Sequence, residues 1–454
     1  MKYTLIIFVV ILFILNINLH SKHGIKYMNI LELLEYNIKL YLIQNAGLIY
    51  LQKDGSKLLQ TLTNDPILIK THRKLHNKHG SVILMPIITK SIHYYILDPN
   101  LAKNILKDSP KLFSAGNMKK EFFESFMPKN LGISKCSTSS ECPWKKRREF
   151  NEKTLGTKSP TFFFDCIQDI IQKNITKPLL NIDDFKLISF QIISSSIYGN
   201  NLNTNEGANM LKDFIHNINK TNNLLETSFY EKYIQHLSSS YTNAPKCSLL
   251  HYADLYRNDT ADVINDQIPH WFAPFIFIIS FLIPNMLCII LNFKDIYIKI
   301  KAEINKPDFD IYSKRTYLHY CVIEHIRLFN TINISMQRTV EHNITYHELE
   351  LKKGDQLFIL FSSILRDEKV FSQPDEFMPD RWYNNTIDEQ NIVFGVGPQQ
   401  CPSKQISPIY YKTILYHLLK KYDYKCISPV LRNKNENLYF INPYEIRFSI
   451  TTDS

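Results

Sequence analysis

Cys401 closes the loop Phe394-Gly-Val-Gly397-Pro-Gln-Gln-Cys401-Pro, directly ahead of a helix-like run. That loop constrains the fold more than any other segment. A single thiol at the end of a glycine-bearing turn suits a thiolate aimed at something large and flat. Backbone amides in such a loop stabilise charge on sulfur, and small residues let a macrocycle approach closely. The plain alternative is a buried structural cysteine. Either way, a large body must hold the loop. The chain has 454 residues, 44% of them apolar, enough to bury the core of one large helical domain.

The eight cysteines form no C-x-x-C pair and no Cys/His zinc spacing. Their scatter does not resemble a secreted disulfide framework; Cys136 and Cys142 could pair, but reduced thiols in a cytosolic fold are the favoured reading. The net charge of +10 is mostly lysine. No nucleic-acid-binding motif accompanies it, so a solvated surface, an anionic membrane or an acidic redox protein are the open readings, and nucleic acid is not expected. Several Asn-x-Thr sequons occur, but an Asn-rich chain generates them by chance.

Tyr3 to Leu19 is one uncharged apolar stretch near the lower length limit for spanning a bilayer. No small-x-small cleavage site follows, so an uncleaved anchor over residues 1–20 is preferred to a signal peptide. Lys22 and Lys26 follow the stretch, which places the bulk of the chain on the cytosolic side. Residues 21–64 read as an amphipathic linker, helical over Ile30 to Leu51, and 65–454 as the main domain. Within it, His79 to Met85 and Ser91 to Leu97 read as short strands, and Asp98-Pro-Asn100 caps a helix to Lys107. Phe113 to Pro143 is irregular. Thr157 to Arg257 is mostly helical, with loops at Asn200–Asn205 and Ser238–Pro245.

Upstream of Cys401 stand Glu324-His-Ile-Arg327, with Glu324 and Arg327 on one helical face, and Phe377-Met-Pro-Asp-Arg381-Trp. Between them run Leu328 to Arg338, Leu351-Lys-Lys-Gly354-Asp, Ile364-Leu-Arg366-Asp367 and Phe371-Ser-Gln-Pro374. Nearer the N-terminus lies Trp144-Lys-Lys-Arg-Arg148, whose ends share a helical face. In order and spacing, these segments resemble the haem-thiolate core of the cytochrome P450 family.

That resemblance implies a mainly α fold with small β-sheets (α+β) around a buried haem b. Cys401 would be the axial ligand of the haem iron and the catalytic centre. Phe394 would pack on its sulfur, and Gly397 would shape the loop. Trp144, Arg148 and Gln399 would reach the haem propionates, and Arg338 would contact the haem. Gln399 stands where the family has Arg, and Ser403 where it has a second Gly. Glu324, Arg327 and Arg381 would form the family's structural ion-pair network. Lys145, Lys146 and Arg147 would lie on the thiolate side, where electron donors dock.

Trp271 to Phe293 carries no charge and could pass for a membrane span. A span there would put Trp144 and Cys401 on opposite sides of a membrane, so it reads instead as the long buried helix over the haem's distal face. The register Phe272 to Ile279 contains no acid and no hydroxyl, where the family usually has an acid–threonine pair; Ser280 is the nearest hydroxyl.

Three readings follow. The first is a membrane-anchored monooxygenase, endoplasmic-reticulum-like in placement, acting on an apolar lipid- or sterol-like molecule. It would use dioxygen and electrons from NADPH through a separate reductase, with Phe275, Ile279, Ile332 and Ile334 against the substrate. The second, suited to the missing acid–threonine pair, is a haem-thiolate isomerase or dehydratase that rearranges a peroxide. The third is a degenerate, non-catalytic membrane protein of the same fold.

Overall fold

The computed structural model describes residues 26–27, 32, 66–85, 92–115, 143–156, 164–175, 178–199, 209, 213, 248–256, 267, 271, 275, 278–329, 336–383, 393–431, 441 and 443–451. The first half supplies β1 (Lys26–Tyr27), α1 (Pro66–His79), β2 (Val82–Met85), β3 (His93–Ile96), α2 (Pro99–Lys107), β4 (Phe113–Ser114), α3 (Pro143–Leu155), α4 (Phe164–Asn174), β5 (Leu179–Asn181), α5 (Ile182–Tyr198) and α6 (Leu249–Tyr256). A π-helical turn (Ile278–Leu282) leads into α7 (Ile283–Asn292), α8 (Lys294–Ile304) and α9 (Tyr317–Leu328). Then come β6 (Met336–Val340), β7 (Ile344–Tyr346), β8 (Leu349–Leu351), β9 (Gln356–Ile359), α10 (Phe361–Ile364), a 3-10 turn (Pro379–Trp382), α11 (Ile406–Lys421), β10 (Asp423–Ser428) and β11 (Arg447–Thr451). This is the mainly helical fold with small sheets that the sequence predicts.

The largest sheet has the order β1-β2-β3-β9-β6-β4. Antiparallel pairing of β2 with β3 sets Val82 opposite Ile96, and β3 runs parallel to β9. In turn β9 pairs antiparallel with β6, which puts Arg338 across from Leu357. The sheet therefore gathers segments far apart in the chain beside one arginine. Part of the 21–64 stretch belongs to this body: β1 pairs parallel with β2, and Glu32 binds His79 Nε2 at 2.8 Å. A second sheet, β10-β11-β5, includes a strand the sequence did not predict; three residues are too short to show alternation.

Helix starts follow local chemistry. Asp98 Oδ1 accepts the Leu101 N–H at 2.6 Å, with Pro99 in the first turn of α2. At α9, Thr316 caps the His319 N–H, and the Glu303 carboxylate takes those of Tyr317 and Leu318. Asn181 and Asp184 form a capping box on α5.

The uncharged run from Trp271 to Phe293 differs from the single long helix expected. Most of its described residues are core: Trp271 and Phe275 are buried, and six side chains of α7 are fully inaccessible. The α-helical register is interrupted by the π turn at 278–282, just before Pro284. Proline has no N–H to return to the Ser280 carbonyl four residues earlier, which accounts for the local widening. At Phe293 the chain bends by 106° into α8. Among the described residues, no single helix is long and apolar enough to cross a membrane. Tyr3 to Leu19, the helix expected over Ile30 to Leu51 (Glu32 apart), the Asn200–Asn205 and Ser238–Pro245 loops, and Cys136 and Cys142 lie outside the described residues. None of the described cysteines, Cys166, Cys288, Cys321, Cys401 and Cys426, is in a disulfide.

Candidate functional site

The loop before α11 turns at two glycines in the left-handed region, Gly395 (φ 70°) and Gly397 (φ 78°). Only glycine takes these angles without steric cost. Gly397 has a second constraint. A Cβ there would sit 2.4 Å from the Leu106 carbonyl oxygen at the end of α2. The loop then closes on itself, with the Cys401 N–H donating to the Phe394 carbonyl at 2.9 Å. These contacts leave the Cys401 thiol half-buried and outside any disulfide, with Phe394 half-buried against the core. Gln399, two residues earlier, has both amide atoms buried and without a partner among the described residues. Burying an amide unpaired costs about 1–3 kcal/mol, so a polar group that paired with Gln399 would be stabilised there.

Arg338 is the second such position. It is 2% exposed, and no carboxylate pairs with it among the described residues. Its Nε donates to Ser109 Oγ at 3.0 Å and its Nη1 to the Gln337 carbonyl at 2.8 Å. Burial pushes the guanidinium down to about 10, so it stays charged at neutral pH. Ser109 in turn donates to the Ile105 carbonyl at 2.8 Å. The end of α2 therefore backs both Arg338 and Gly397. A buried cation without a counter-charge, an unpaired amide and an accessible thiol on a glycine cradle fit a flat anionic group with an iron for sulfur to bind. The described residues meet the requirements of haem in this respect.

Helix α3 contributes differently from expectation. The side chain of Trp144 lies outside the described residues. Arg148 binds Glu152, one turn on, with both Nε and Nη2 at 2.7 Å from Oε1. Lys145 and Lys146 are exposed, but Arg147 is buried and so is not part of the solvated basic face. Two residues the sequence reading missed explain how α3 is held. Asn151 donates to Gln267 Oε1 at 2.8 Å and accepts the Trp271 indole N–H. An amide one turn beyond a W-x-x-x-R pattern was the available signal.

The Glu324 network is assembled as the spacing predicts. Arg327 bonds both Glu324 oxygens, at 2.9 and 2.7 Å, and reaches the carbonyls of Leu365 and Pro374. Arg381 Nε donates to Glu324 Oε1 at 3.0 Å, and the Met378 N–H to the same oxygen at 2.9 Å. Trp382 adds an indole N–H to Oε2, a member that the sequence reading left out. Burial by itself would raise the Glu324 carboxyl; the two guanidiniums and the amide outweigh it and hold it below the ordinary range. The network ties α9 to the 371–382 segment that precedes the cysteine loop.

On the distal segment, Ile279 is fully buried and Phe275 packs on Tyr410 of α11, ring centroids 4.9 Å apart. The Ser280 hydroxyl lies 2.6 Å from Ser189 Oγ of α5, so it is already engaged. Ile332 and Ile334 lie outside the described residues.

A family model described as Cytochrome P450 matches residues 57–268 and 283–448, most of the chain. The stretch it omits contains Trp271, Phe275 and all of the π turn. Among curated proteins, the chain is 26% identical over 132 residues to psoralen synthase of Ammi majus, covering 28% of this chain and 26% of that protein. It is 25% identical over 134 residues to cytochrome P450 85A1 of Solanum lycopersicum, 29% of each chain. It is 28% identical over 144 residues to cytochrome P450 4p1 of Drosophila melanogaster, covering 31% of this chain and 28% of that one. The matches thus span less than a third of the length of each of these relatives.

Proposed function

This chain belongs to the cytochrome P450 family, and we propose that it is a haem-thiolate monooxygenase of an apolar, lipid- or sterol-like small molecule. The observation that carries the proposal is the juxtaposition at the end of α2. There a half-buried free thiol on a two-glycine loop and a buried arginine without a counter-charge share one support. Haem b, when bound, supplies one-electron and dioxygen chemistry, and a thiolate ligand pushes electron density that favours O–O cleavage.

In this reading Cys401 presents its sulfur to the iron, and Phe394 keeps water from it. Arg338 and Gln399 hold the propionates, Arg338 by charge and Gln399 by its amide. Trp144 and Arg148 complete that hold, Arg148 by exchanging its Glu152 contact for a propionate. Glu324, Arg327 and Arg381 fix the backbone leading into the loop and make no bond to substrate. Phe275, Ile279, Ile332 and Ile334 exclude water and favour an apolar substrate. Residues 1–20 anchor the chain in an endoplasmic-reticulum-like membrane with the haem domain in the cytosol. Electrons come from NADPH through a separate reductase, docked over Lys145 and Lys146.

One observation favours a second reading. Ser280 is bonded to Ser189, and the register Phe272 to Ile279 has no acid, so among the described residues no side-chain route for protons is in view. A peroxide-rearranging isomerase or dehydratase would need none. The carbon monoxide difference spectrum of the reduced, haem-loaded protein, beside Cys401→Ala, tests the shared premise. A long-wavelength thiolate band lost in the variant supports both; haem uptake without that band refutes both. Turnover with NADPH and reductase against turnover with organic peroxide alone then separates them.

A further inference from the structure

The sulfur of Cys401 has a side-chain neighbour that its loop does not require. Ser403 Oγ lies 3.3 Å from Cys401 Sγ, and Ser407 Oγ donates to Ser403 Oγ at 3.0 Å. Ser407 is 3% exposed and is held in the first turn of α11 by its own N–H, which donates to the Ser403 carbonyl at 2.8 Å. With Ser407 Oγ as the donor, the chain of hydroxyls runs toward the sulfur. Ser403 accepts from Ser407, and its one proton is left to point elsewhere. A thiolate can only accept, and it lies within reach.

The surroundings make this proton significant. Pro402 follows the cysteine directly and has no N–H to offer the sulfur. The Lys404 ammonium is directed at Gln400 Oε1, at 2.9 Å, not at the sulfur. Hydrogen bonds to a ligand sulfur draw off electron density and set the potential of the metal it binds.

We propose that Ser403, oriented by Ser407, donates a hydrogen bond to the Cys401 thiolate and moderates its donation to the haem iron. The proposal rests on the reading of Cys401 as the axial ligand. Ser403 is a positioning residue for charge: it touches the ligand sulfur, not the substrate. The bond makes the reduced haem easier to reach and weakens the push toward O–O cleavage.

The test uses the haem-loaded full chain and reads two quantities that do not depend on turnover: the midpoint potential, and the C–O stretching frequency of the reduced carbon monoxide complex. Ser403→Ala is expected to lower both, because a sulfur released from its donor pushes more density through iron into bound carbon monoxide. Ser407→Ala is expected to move both in the same direction by less, and Ser403→Thr, which keeps the hydroxyl, to leave them near the parent values. If Ser403→Ala folds poorly, the other two variants decide by the same criterion. A thiolate band in every variant with both readings unmoved would overturn the proposal and leave the ligation intact. A parent protein that takes up haem with no thiolate band would instead overturn the ligation, and this bond with it.

Discussion

Trp382 Nε1 donates to Glu324 Oε2 at 3.0 Å, with both side chains inaccessible to solvent. The indole thus completes a carboxylate that already binds two guanidiniums and a backbone N–H. Trp382→Phe keeps the ring's apolar packing in part and removes the donor. It is expected to destabilise the fold by about 1–3 kcal/mol, measured by chemical denaturation. Arg327→Ala leaves the buried carboxylate undercompensated and should cost more, about 3–5 kcal/mol. Equal losses from the two variants would mean that the network does not partition as the bonds suggest.

Gly80 and Gly397 both have left-handed backbone, at φ 92° and 78°, but only Gly397 has backbone atoms where a side chain would go. Alanine at Gly80 should cost about 1–2 kcal/mol, the conformational penalty alone. Gly397→Ala should cost more and also reduce haem uptake, because the Leu106 carbonyl cannot yield without moving α2. Matching the two substitutions in one denaturation series checks this.

Arg338 is charged and buried with no counter-ion among the described residues. Removing an uncompensated charge should relieve the haem-free protein, so Arg338→Met is expected to leave it as stable or more stable. The same variant should bind haem about 10–100-fold more weakly, the equivalent of one charge-assisted bond to a propionate. Haem titration and haem-free denaturation, done together, separate these opposite effects. Loss of stability in the haem-free variant would show that the arginine already has its partner.

His325 is fully buried, shares one hydrogen bond with Asn285 at 3.0 Å, and is pushed by burial down to about 3. Its unfolded value is near 6.5, so between these limits the unfolded chain binds the extra proton. This residue's contribution to stability is therefore full above about pH 6.5 and falls as the pH is lowered toward about 3. The slope approaches about 1.4 kcal/mol per pH unit in the middle of that window. His325→Gln, which retains a donor for Asn285, should flatten the fall. An unchanged pH profile would contradict the assignment.

Much of this was legible where spacing alone sets the geometry. Glu324 and Arg327 had to share a face, Asp98 had to cap, and the two glycines around Val396 had to turn the chain. What stayed hidden depends on residues remote in sequence. Ser109 meets Arg338 across 229 positions and Ser189 meets Ser280 across 91, and neither carries a local pattern. Arg147 read as part of the basic docking face because it follows Lys145 and Lys146, yet the helix turns it inward. The break at 278–282 was foreshadowed by Pro284, although its π form depends on how the freed carbonyl is accommodated.

The end of α2 has a mechanical consequence. Gly397 abuts the carbonyl of Leu106, and three residues on, Ser109 braces Arg338. A cofactor seated against the sulfur on one side and the guanidinium on the other would be gripped by two jaws hinged on the same short piece of backbone. A movement of that backbone would reach both jaws at once. If Cys401 and Arg338 hold the cofactor as proposed, tilting that backbone would loosen both contacts together, and release of the cofactor should be abrupt and not stepwise.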